Sequence, residues 1–169
     1  MKKESSFLSV CKYIVIGVLS GFFLKFFVID VLHIYGTSME PAFTNEDKIL
    51  VNKLAYGLNV PFGDKICIKW ASPKPGDVII YMYDNKIVIK RCVATGGTAL
   101  EYSYSSGYNL IIGDKNIPLT ELQYHRMKES LCVPQGMILA VGDNYSESID
   151  SRTYGFVPEE NILGKVICR

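Results

Sequence analysis

The chain has 169 residues, and its 18 basic and 17 acidic side chains give a formal net charge of +1 at pH 7. A charge this balanced creates no field that attracts polyanions, so we expect no nucleic-acid partner. Five widely spaced cysteines without a Cys-x-x-Cys pair, together with only two histidines, supply no zinc ligand set. We therefore expect neither a metal nor another cofactor, while the cysteine count leaves the disulfide state open.

Residues 13–29 form an apolar segment that only Lys25 interrupts. Its length is at the short end of the ~17–25 residues that span a bilayer as a helix. Lys2, Lys3 and Lys12 precede the segment, and basic residues on this side place the N-terminus in the cytoplasm. The alternatives are a cleaved signal peptide and a buried core helix, although no small-x-small cleavage site follows.

The predicted organisation has three parts in chain order. They are a cytoplasmic tail at 1–12, a transmembrane anchor at 13–29 and an extracytoplasmic domain at 30–169. The last part is large enough to enclose one hydrophobic core.

Short runs rich in Val, Ile and Tyr follow Pro41, and Gly, Pro, Asn and Asp separate them. The runs are 48–51, 65–68, 77–83, 86–89, 109–112 and 136–141. Asp84-Asn85 joins two of them, which is the length of a tight hairpin connection. Residues 119–131 are the only other candidate helix. The predicted fold class is therefore mainly β, with a single N-terminal transmembrane helix followed by an antiparallel β-sheet domain.

Ser38 and Lys90 are the candidate reactive pair. Ser38 follows the anchor closely, and Lys90 ends the apolar run 86–89. A serine hydroxyl is a weak nucleophile until a base removes its proton, and neither histidine is suitably placed, so lysine is the best remaining base. A free lysine has a pKa of about 10.4, which burial in apolar surroundings lowers. Alternation along a strand places Val88 on the same face as Lys90.

A long polar segment, 142–158, completes a set of four ordered motifs. It reads Gly-Asp-Asn-Tyr-Ser-Glu-Ser-Ile-Asp-Ser-Arg-Thr-Tyr-Gly-Phe-Val-Pro, and follows Ser-Met-Glu-Pro at 38–41, Pro-Gly-Asp-Val at 75–78 and Lys-Arg at 90–91. The chain thereby resembles the bacterial type I signal peptidases, membrane-anchored Ser/Lys endopeptidases, over residues 13–167.

The resemblance implies an enzyme of the bacterial cytoplasmic (inner) membrane whose catalytic domain lies on the outer or periplasmic side. Such an enzyme hydrolyses the bond between signal peptides and exported preproteins through an acyl-enzyme. Its expected partners are these preproteins and the lipid bilayer. Two alternatives stay open: a Ser/Lys maturation peptidase dedicated to one substrate, of the conjugation-pilus type, and a non-catalytic, membrane-tethered peptide-binding domain.

The resemblance also implies roles for individual residues. Ser38 is the expected nucleophile, Lys90 the general base and Ser148 the group that orients the lysine amine. The Ser38 N–H is the expected oxyanion donor, and Gly36 stands where some family members carry a second, hydroxyl donor. Two expected ionic pairs, Arg91 with Asp143 and Asp150 with Arg152, brace the site, with ordinary surface pairing as the alternative. The expected substrate pockets involve Leu32, Ile34, Met39, Phe43 and Ile89, for which plain core packing is the alternative.

The chain departs from the family pattern at three places. Tyr145-Ser146-Glu147 replaces the usual Arg-Asp-Asn, Gly96-Gly97-Thr98 replaces Pro-Gly-Asp, and Cys92 replaces an aliphatic residue. We therefore expect a differently braced last loop and sensitivity to thiol reagents through Cys92.

Overall fold

A long N-terminal helix precedes the sheet domain in the computed structural model, which describes residues 2–59, 65–104 and 107–168. Helix α1 spans Lys2–Phe23, and a π-helical turn continues it over Leu24–Val28. Ser9–Val28 is long and apolar enough to cross a membrane, with a mean hydropathy of 1.8, and none of it is buried against the described chain. A core helix of a soluble domain would bury one face, so this exposure disfavours that alternative.

The helical segment passes directly into strand β1 (Ile29–His33), because Ile29 adopts extended backbone with φ −131° and ψ 139°. The next strands are β2 (Lys48–Asn52), β3 (Gly57–Asn59), β4 (Ile66–Lys69), β5 (Val78–Tyr83) and β6 (Lys86–Thr95). Then come β7 (Glu101–Ser103), β8 (Asn109–Ile112), β9 (Lys115–Pro118), β10 (Met137–Val141), β11 (Val157–Pro158) and β12 (Ile162–Cys168). Two short helices, α2 (Glu121–Met127) and α3 (Ser151–Tyr154), and a 3-10 helical turn at Glu159–Asn161 complete the described elements.

The main sheet is antiparallel and has the strand order β1-β2-β12-β5-β6-β10-β11. A hairpin β3-β4 and a three-stranded sheet β7-β8-β9 accompany it. The mainly β antiparallel fold class is therefore confirmed. Strand β6 lies between β5 and β10, so a side chain on it is surrounded by ordered neighbours.

The two-residue hairpin at Asp84-Asn85 is also confirmed. Its two residues have φ values of 49° and 57°, the left-handed conformation of a type I′ turn, which matches the twist of the flanking strands. The turn fixes the register of β5 against β6, in which Ile79 pairs with Lys90 and Ile80 with Ile89. The hairpin thereby sets which residues of β5 lie beside the candidate lysine.

Several element boundaries differ from the predicted ones. Strand β6 continues to Thr95, beyond the predicted run 86–89, because its second half pairs with β10 and is buried. Helix α2 is shorter than the predicted 119–131. It begins at a capping box formed by Thr120 and Gln123, and it ends at the cap residue Lys128.

The sheet separates two hydrophobic clusters that hold the central strands rigid. Consecutive residues of β5 alternate between them: Ile79 and Tyr81 belong to one cluster, whereas Val78 and Ile80 belong to the other. Full burial of such a side chain stabilises a fold by about 1.5–3 kcal/mol. The strands that carry the candidate site are therefore anchored on both faces.

Candidate active site

Ser38 lies in the turn that follows β1, and Lys90 lies on the central strand β6. The Lys90 Nζ is 2.7 Å from the Ser38 Oγ. Lys90 is only 4% exposed, and Ser38 is half-buried. Met39 holds the turn in place because its side chain is buried in the adjacent core cluster. The fold thus brings the two candidate reactive residues within hydrogen-bond distance, although 52 positions separate them in sequence.

Burial lowers the pKa of the Lys90 amine below the ordinary lysine value, because an ammonium group loses hydration in apolar surroundings. The nearby charge of Asp150 raises this pKa, Arg152 lowers it and Asp143 raises it, and the effect of burial prevails. Val88, two positions away on the strand, packs against one hydrophobic cluster and contributes to the apolar environment. With a lowered pKa, a larger fraction of the Lys90 amine is neutral, and the neutral amine has a lone pair that can accept the serine proton.

Asp150 and Arg152 form a buried ion pair beside the site, with exposed fractions of 0% and 1% for their side chains. Each carboxylate oxygen accepts from the guanidinium at 2.9 Å, and the Asp150 Oδ2 also accepts from the Gly142 N–H at 3.0 Å. Arg152 donates further to the carbonyl oxygens of Pro118 and Tyr145. The pair is therefore not a surface pair, and it ties the loop that carries Asp150 to the end of β10.

Arg91 and Asp143 form a second, partly exposed ion pair. The Arg91 Nε and Nη2 donate to the two Asp143 oxygens at 2.7 Å and 2.6 Å, which is a bidentate arrangement. The Arg91 Nη1 also donates to the Gly76 carbonyl at 3.0 Å. Since Arg91 follows Lys90, this pair connects the strand of the lysine to the polar loop after β10.

Ser148 lies close to Ser38 and Lys90 but does not hydrogen-bond with Lys90. Its hydroxyl is buried, and among the described residues it has no hydrogen-bond partner. A Cβ atom on Gly142 would lie 2.2 Å from the Ser148 Oγ and 2.4 Å from the Ser38 carbonyl oxygen. The loop therefore packs against Ser38 at a distance that only glycine permits, and the orienting role of Ser148 stays a prediction.

A groove of about 160 Å³ opens beside the pair. Of the five residues expected in substrate pockets, Leu32, Ile34 and Ile89 line this groove, together with Ser38 and Lys90. The other two do not line it. Met39 is buried in the adjacent hydrophobic cluster, and Phe43 packs against the same cluster.

Sequence reasoning missed several walls of the groove, among them Ile49 and Ile80. A signal for Ile80 was present, since the hairpin at Asp84-Asn85 fixes a register in which Ile80 pairs with Ile89. Ile49 reaches the groove because β2 pairs with β1, and no local pattern indicated that pairing.

Gly36 adopts a φ of +100°, a conformation that favours glycine, and its N–H donates to the Asn45 Oδ1 at 2.9 Å. It has no side-chain hydroxyl to offer to the groove. The N–H of Ser38 donates to no acceptor within the described ranges, so it is free to bind an oxygen atom of a ligand. A hydrogen-bond donor for such an oxygen atom at this turn is therefore a backbone group.

Tyr145, which stands where the family pattern has an arginine, helps to hold the loop after β10 in place. Its ring lies 5.4 Å from the guanidinium carbon of Arg152, within the range of a cation–π interaction, and its carbonyl oxygen accepts from the same guanidinium at 2.9 Å. The substituted tyrosine therefore contacts the buried ion pair directly.

The expectation of thiol sensitivity through Cys92 is wrong. Cys92 is fully buried in a hydrophobic cluster, and burial raises the pKa of its thiol to about 12. A thiol that is neither exposed nor ionised does not react readily. All five cysteines are free: Cys11, Cys67, Cys92, Cys132 and Cys168. Over the described part of the chain, no group of three or more His, Cys, Asp or Glu residues could hold a metal ion.

The family model of signal peptidases, peptidase S26, matches residues 7–169. A probable signal peptidase I-2 from Synechocystis sp. is 28% identical over 98% of this chain and 74% of its own length. A signal peptidase I from Aquifex aeolicus is 28% identical over 88% of this chain and 78% of its own. A crystal structure of a signal peptidase I from Enterococcus faecalis matches 57% of this chain and 97% of that chain, at 24% identity and a TM-score of 0.43.

Proposed function

The chain belongs to the signal peptidases of peptidase family S26, and from this premise we propose that it is a signal peptidase I that uses Ser38 and Lys90 as a catalytic dyad. Its substrates are exported preproteins, from which it removes the signal peptide. One observation carries the proposal: the Ser38 Oγ lies 2.7 Å from the amine of a buried lysine whose pKa is lowered.

In the acylation step the neutral Lys90 amine takes the proton of Ser38 as the serine oxygen attacks the scissile carbonyl carbon. The carbonyl oxygen becomes an oxyanion, to which the Ser38 N–H donates. The intermediate then collapses with cleavage of the C–N bond. The Lys90 ammonium gives its proton to the departing amine, and the signal peptide stays joined to Ser38 as an ester.

In the deacylation step a water molecule attacks the ester carbonyl carbon while Lys90 accepts one of its protons. The C–O bond to Ser38 breaks, and the proton returns from the lysine to the serine oxygen. The signal peptide leaves as a carboxylic acid, which ionises by releasing the second proton of the water to the solvent. The dyad is thereby restored. The buried Asp150–Arg152 pair and the Arg91–Asp143 pair keep the loop after β10 in place through both steps.

The shape of the groove supports a preference for small side chains at the cleavage site. Branched apolar side chains, including Ile34, Ile80 and Ile89, line a volume of only about 160 Å³. Strand β1 ends beside the groove and pairs with β2 alone among the described strands, so its other edge can bind an extended peptide. In an extended peptide alternate side chains point the same way, which fits recognition of an Ala-x-Ala-like sequence.

We further propose that the helical segment Ser9–Val28 anchors the enzyme, with the N-terminus in the cytoplasm. Ser38 lies ten positions beyond Val28, and this short separation supports a position of the nucleophile near the outer surface of the membrane. A C-terminal epitope tag should be accessible to protease added outside spheroplasts, whereas an N-terminal tag should be protected. The opposite pattern of protection would contradict this orientation.

The dyad is tested with the full-length protein in detergent, acting on a purified preprotein. Ser38→Ala and Lys90→Ala should each lower the cleavage rate by ~10³-fold or more, because nucleophile and base act as one unit. Lys86→Ala is the matched control, since Lys86 is an exposed lysine on the same strand, and this variant should cleave at the wild-type rate. Cleavage at the wild-type rate by either dyad variant would overturn the mechanism. A separate experiment tests whether the enzyme processes preproteins in general: if depletion of the protein in cells leads to accumulation of only one precursor, the general role is overturned.

A further inference from the structure

The loop after β10 forms hydrogen bonds with the peptide groups on both sides of the candidate nucleophile. The Asn144 side-chain Nδ2 donates to the Thr37 carbonyl oxygen at 3.2 Å, and the Asn144 backbone N–H donates to the Ser38 carbonyl oxygen at 3.1 Å. The close approach of Gly142 to the Ser38 carbonyl makes these contacts possible. A single residue of the loop therefore binds the two carbonyl groups that flank Ser38.

The first of these contacts fixes the direction of the Ser38 N–H. The Thr37 carbonyl and the Ser38 N–H belong to one planar trans peptide group, in which the oxygen and the hydrogen point in opposite directions. A donor that holds the oxygen on one side thus aims the hydrogen to the other side. The Thr37 oxygen also accepts from the Glu40 N–H at 3.1 Å, so Asn144 supplies one of two restraints on this group.

Two features make this orientation important for the reaction. The Ser38 N–H has no acceptor among the described residues, so it is available to an oxyanion. Gly36 has no hydroxyl that could act as a second donor. A hydrogen bond to the carbonyl end of a peptide group also polarises its N–H end and makes it a stronger donor.

We propose that Asn144 is a positioning residue that, through its hydrogen bond to Thr37, aims the Ser38 N–H at the oxyanion. The inference rests on the proposed function, because it requires Ser38 to be the nucleophile. Asn144 does not contact the reacting atoms, and its effect passes through the peptide group between Thr37 and Ser38. Loss of its side chain should therefore affect the transition state more than the binding of substrate.

The test compares Asn144→Ala with Asn109→Ala in the full-length protein. Asn109 makes the same kind of bond, from its side-chain Nδ2 to the Gly107 carbonyl at 2.8 Å, in the separate sheet β7-β8-β9. Asn144→Ala should lower kcat about tenfold, equivalent to about 1.4 kcal/mol of transition-state stabilisation, and leave KM within twofold. Asn109→Ala should keep both parameters. Asn144→Leu, which keeps the volume but not the donor, should behave like Asn144→Ala.

Two further readouts separate positioning from a general structural effect. Affinity for a peptide aldehyde, whose adduct with serine carries an oxyanion, should fall in proportion to kcat. The midpoint of the pH–rate profile should stay unchanged, because Lys90 is untouched. The inference is overturned if Asn144→Ala retains kcat within twofold, or if its loss of activity comes with a raised KM or a shifted midpoint. Activity that survives Ser38→Ala would instead overturn the proposed function, so the two failures are distinguishable.

Discussion

Replacement of Asp150 by Asn, in the buried ion pair with Arg152, should destabilise the domain more than a change in the partly exposed ion pair of Arg91 and Asp143. The Asp150 carboxylate accepts four hydrogen bonds: two at Oδ1, from the Arg152 N–H and Nε, and two at Oδ2, from Gly142 and the Arg152 Nη2. The asparagine amide has the same shape but only one acceptor oxygen, so it can accept only two of the four hydrogen bonds. It also carries no charge, so the charge of the Arg152 guanidinium is left uncompensated. Removal of one partner from a buried ion pair costs about 3–5 kcal/mol.

Thermal unfolding of the full-length protein in detergent, followed by near-ultraviolet circular dichroism, measures this cost. For a domain of this size each kcal/mol lowers the Tm by about 2–4 °C, so Asp150→Asn should lower it by on the order of 10 °C. Asp143→Asn is the matched control. Its pair with Arg91 is partly exposed, so the expected loss is only about 1 kcal/mol. Equal stability of Asp150→Asn and wild type would refute the argument that burial of this pair makes it indispensable.

Three further predictions concern the site itself. Gly142→Ala should lower kcat by about a hundredfold, because the new methyl group would displace the Ser148 hydroxyl or the Ser38 carbonyl. Gly113→Ala is the control: a Cβ atom there meets open space, so this variant should keep the wild-type kcat even if the positive φ of Gly113 lowers its stability. In native protein treated with N-ethylmaleimide, mass spectrometry should find label on exposed Cys67, Cys132 and Cys168 but none on Cys92, and label on Cys92 would contradict its burial. The rate of cleavage should rise with pH through a midpoint below the free-lysine pKa of about 10.4, since only the neutral amine is a base and burial favours that form. A rate that does not rise with pH would contradict this role.

The elements that were predictable from the sequence are those whose signal is local. The runs rich in Val, Ile and Tyr and the turn residues at Asp84-Asn85 define the β5-β6 hairpin, and the ordered motifs indicate Ser38 and Lys90 as the candidate pair. Strand β1 was not predictable, because it begins at Ile29, the last residue of the predicted anchor, and its extended backbone depends on pairing with β2.

Long-range packing decided the rest of the site. Met39 and Phe43 are apolar residues that closely follow the proposed nucleophile in sequence, and nothing in their local sequence distinguishes a pocket wall from a core position. Met39 is buried in a hydrophobic cluster and Phe43 packs against it, and neither lines the groove, whereas Ile49 and Ile80 of the same cluster do line it. Likewise, the contact of the Tyr145 ring with Arg152 depends on the path of a loop without regular structure.

The most direct measurement of the central claim is the identification of the acylated residue during a single turnover. The full-length enzyme reacts with an activated peptide ester, the reaction is quenched in acid, and the site of attachment is mapped by mass spectrometry over a range of pH. We predict an adduct on Ser38 that forms faster as pH rises and is absent from Lys90→Ala. An adduct on another residue, or formation at the wild-type rate in Lys90→Ala, would contradict a Ser38/Lys90 dyad.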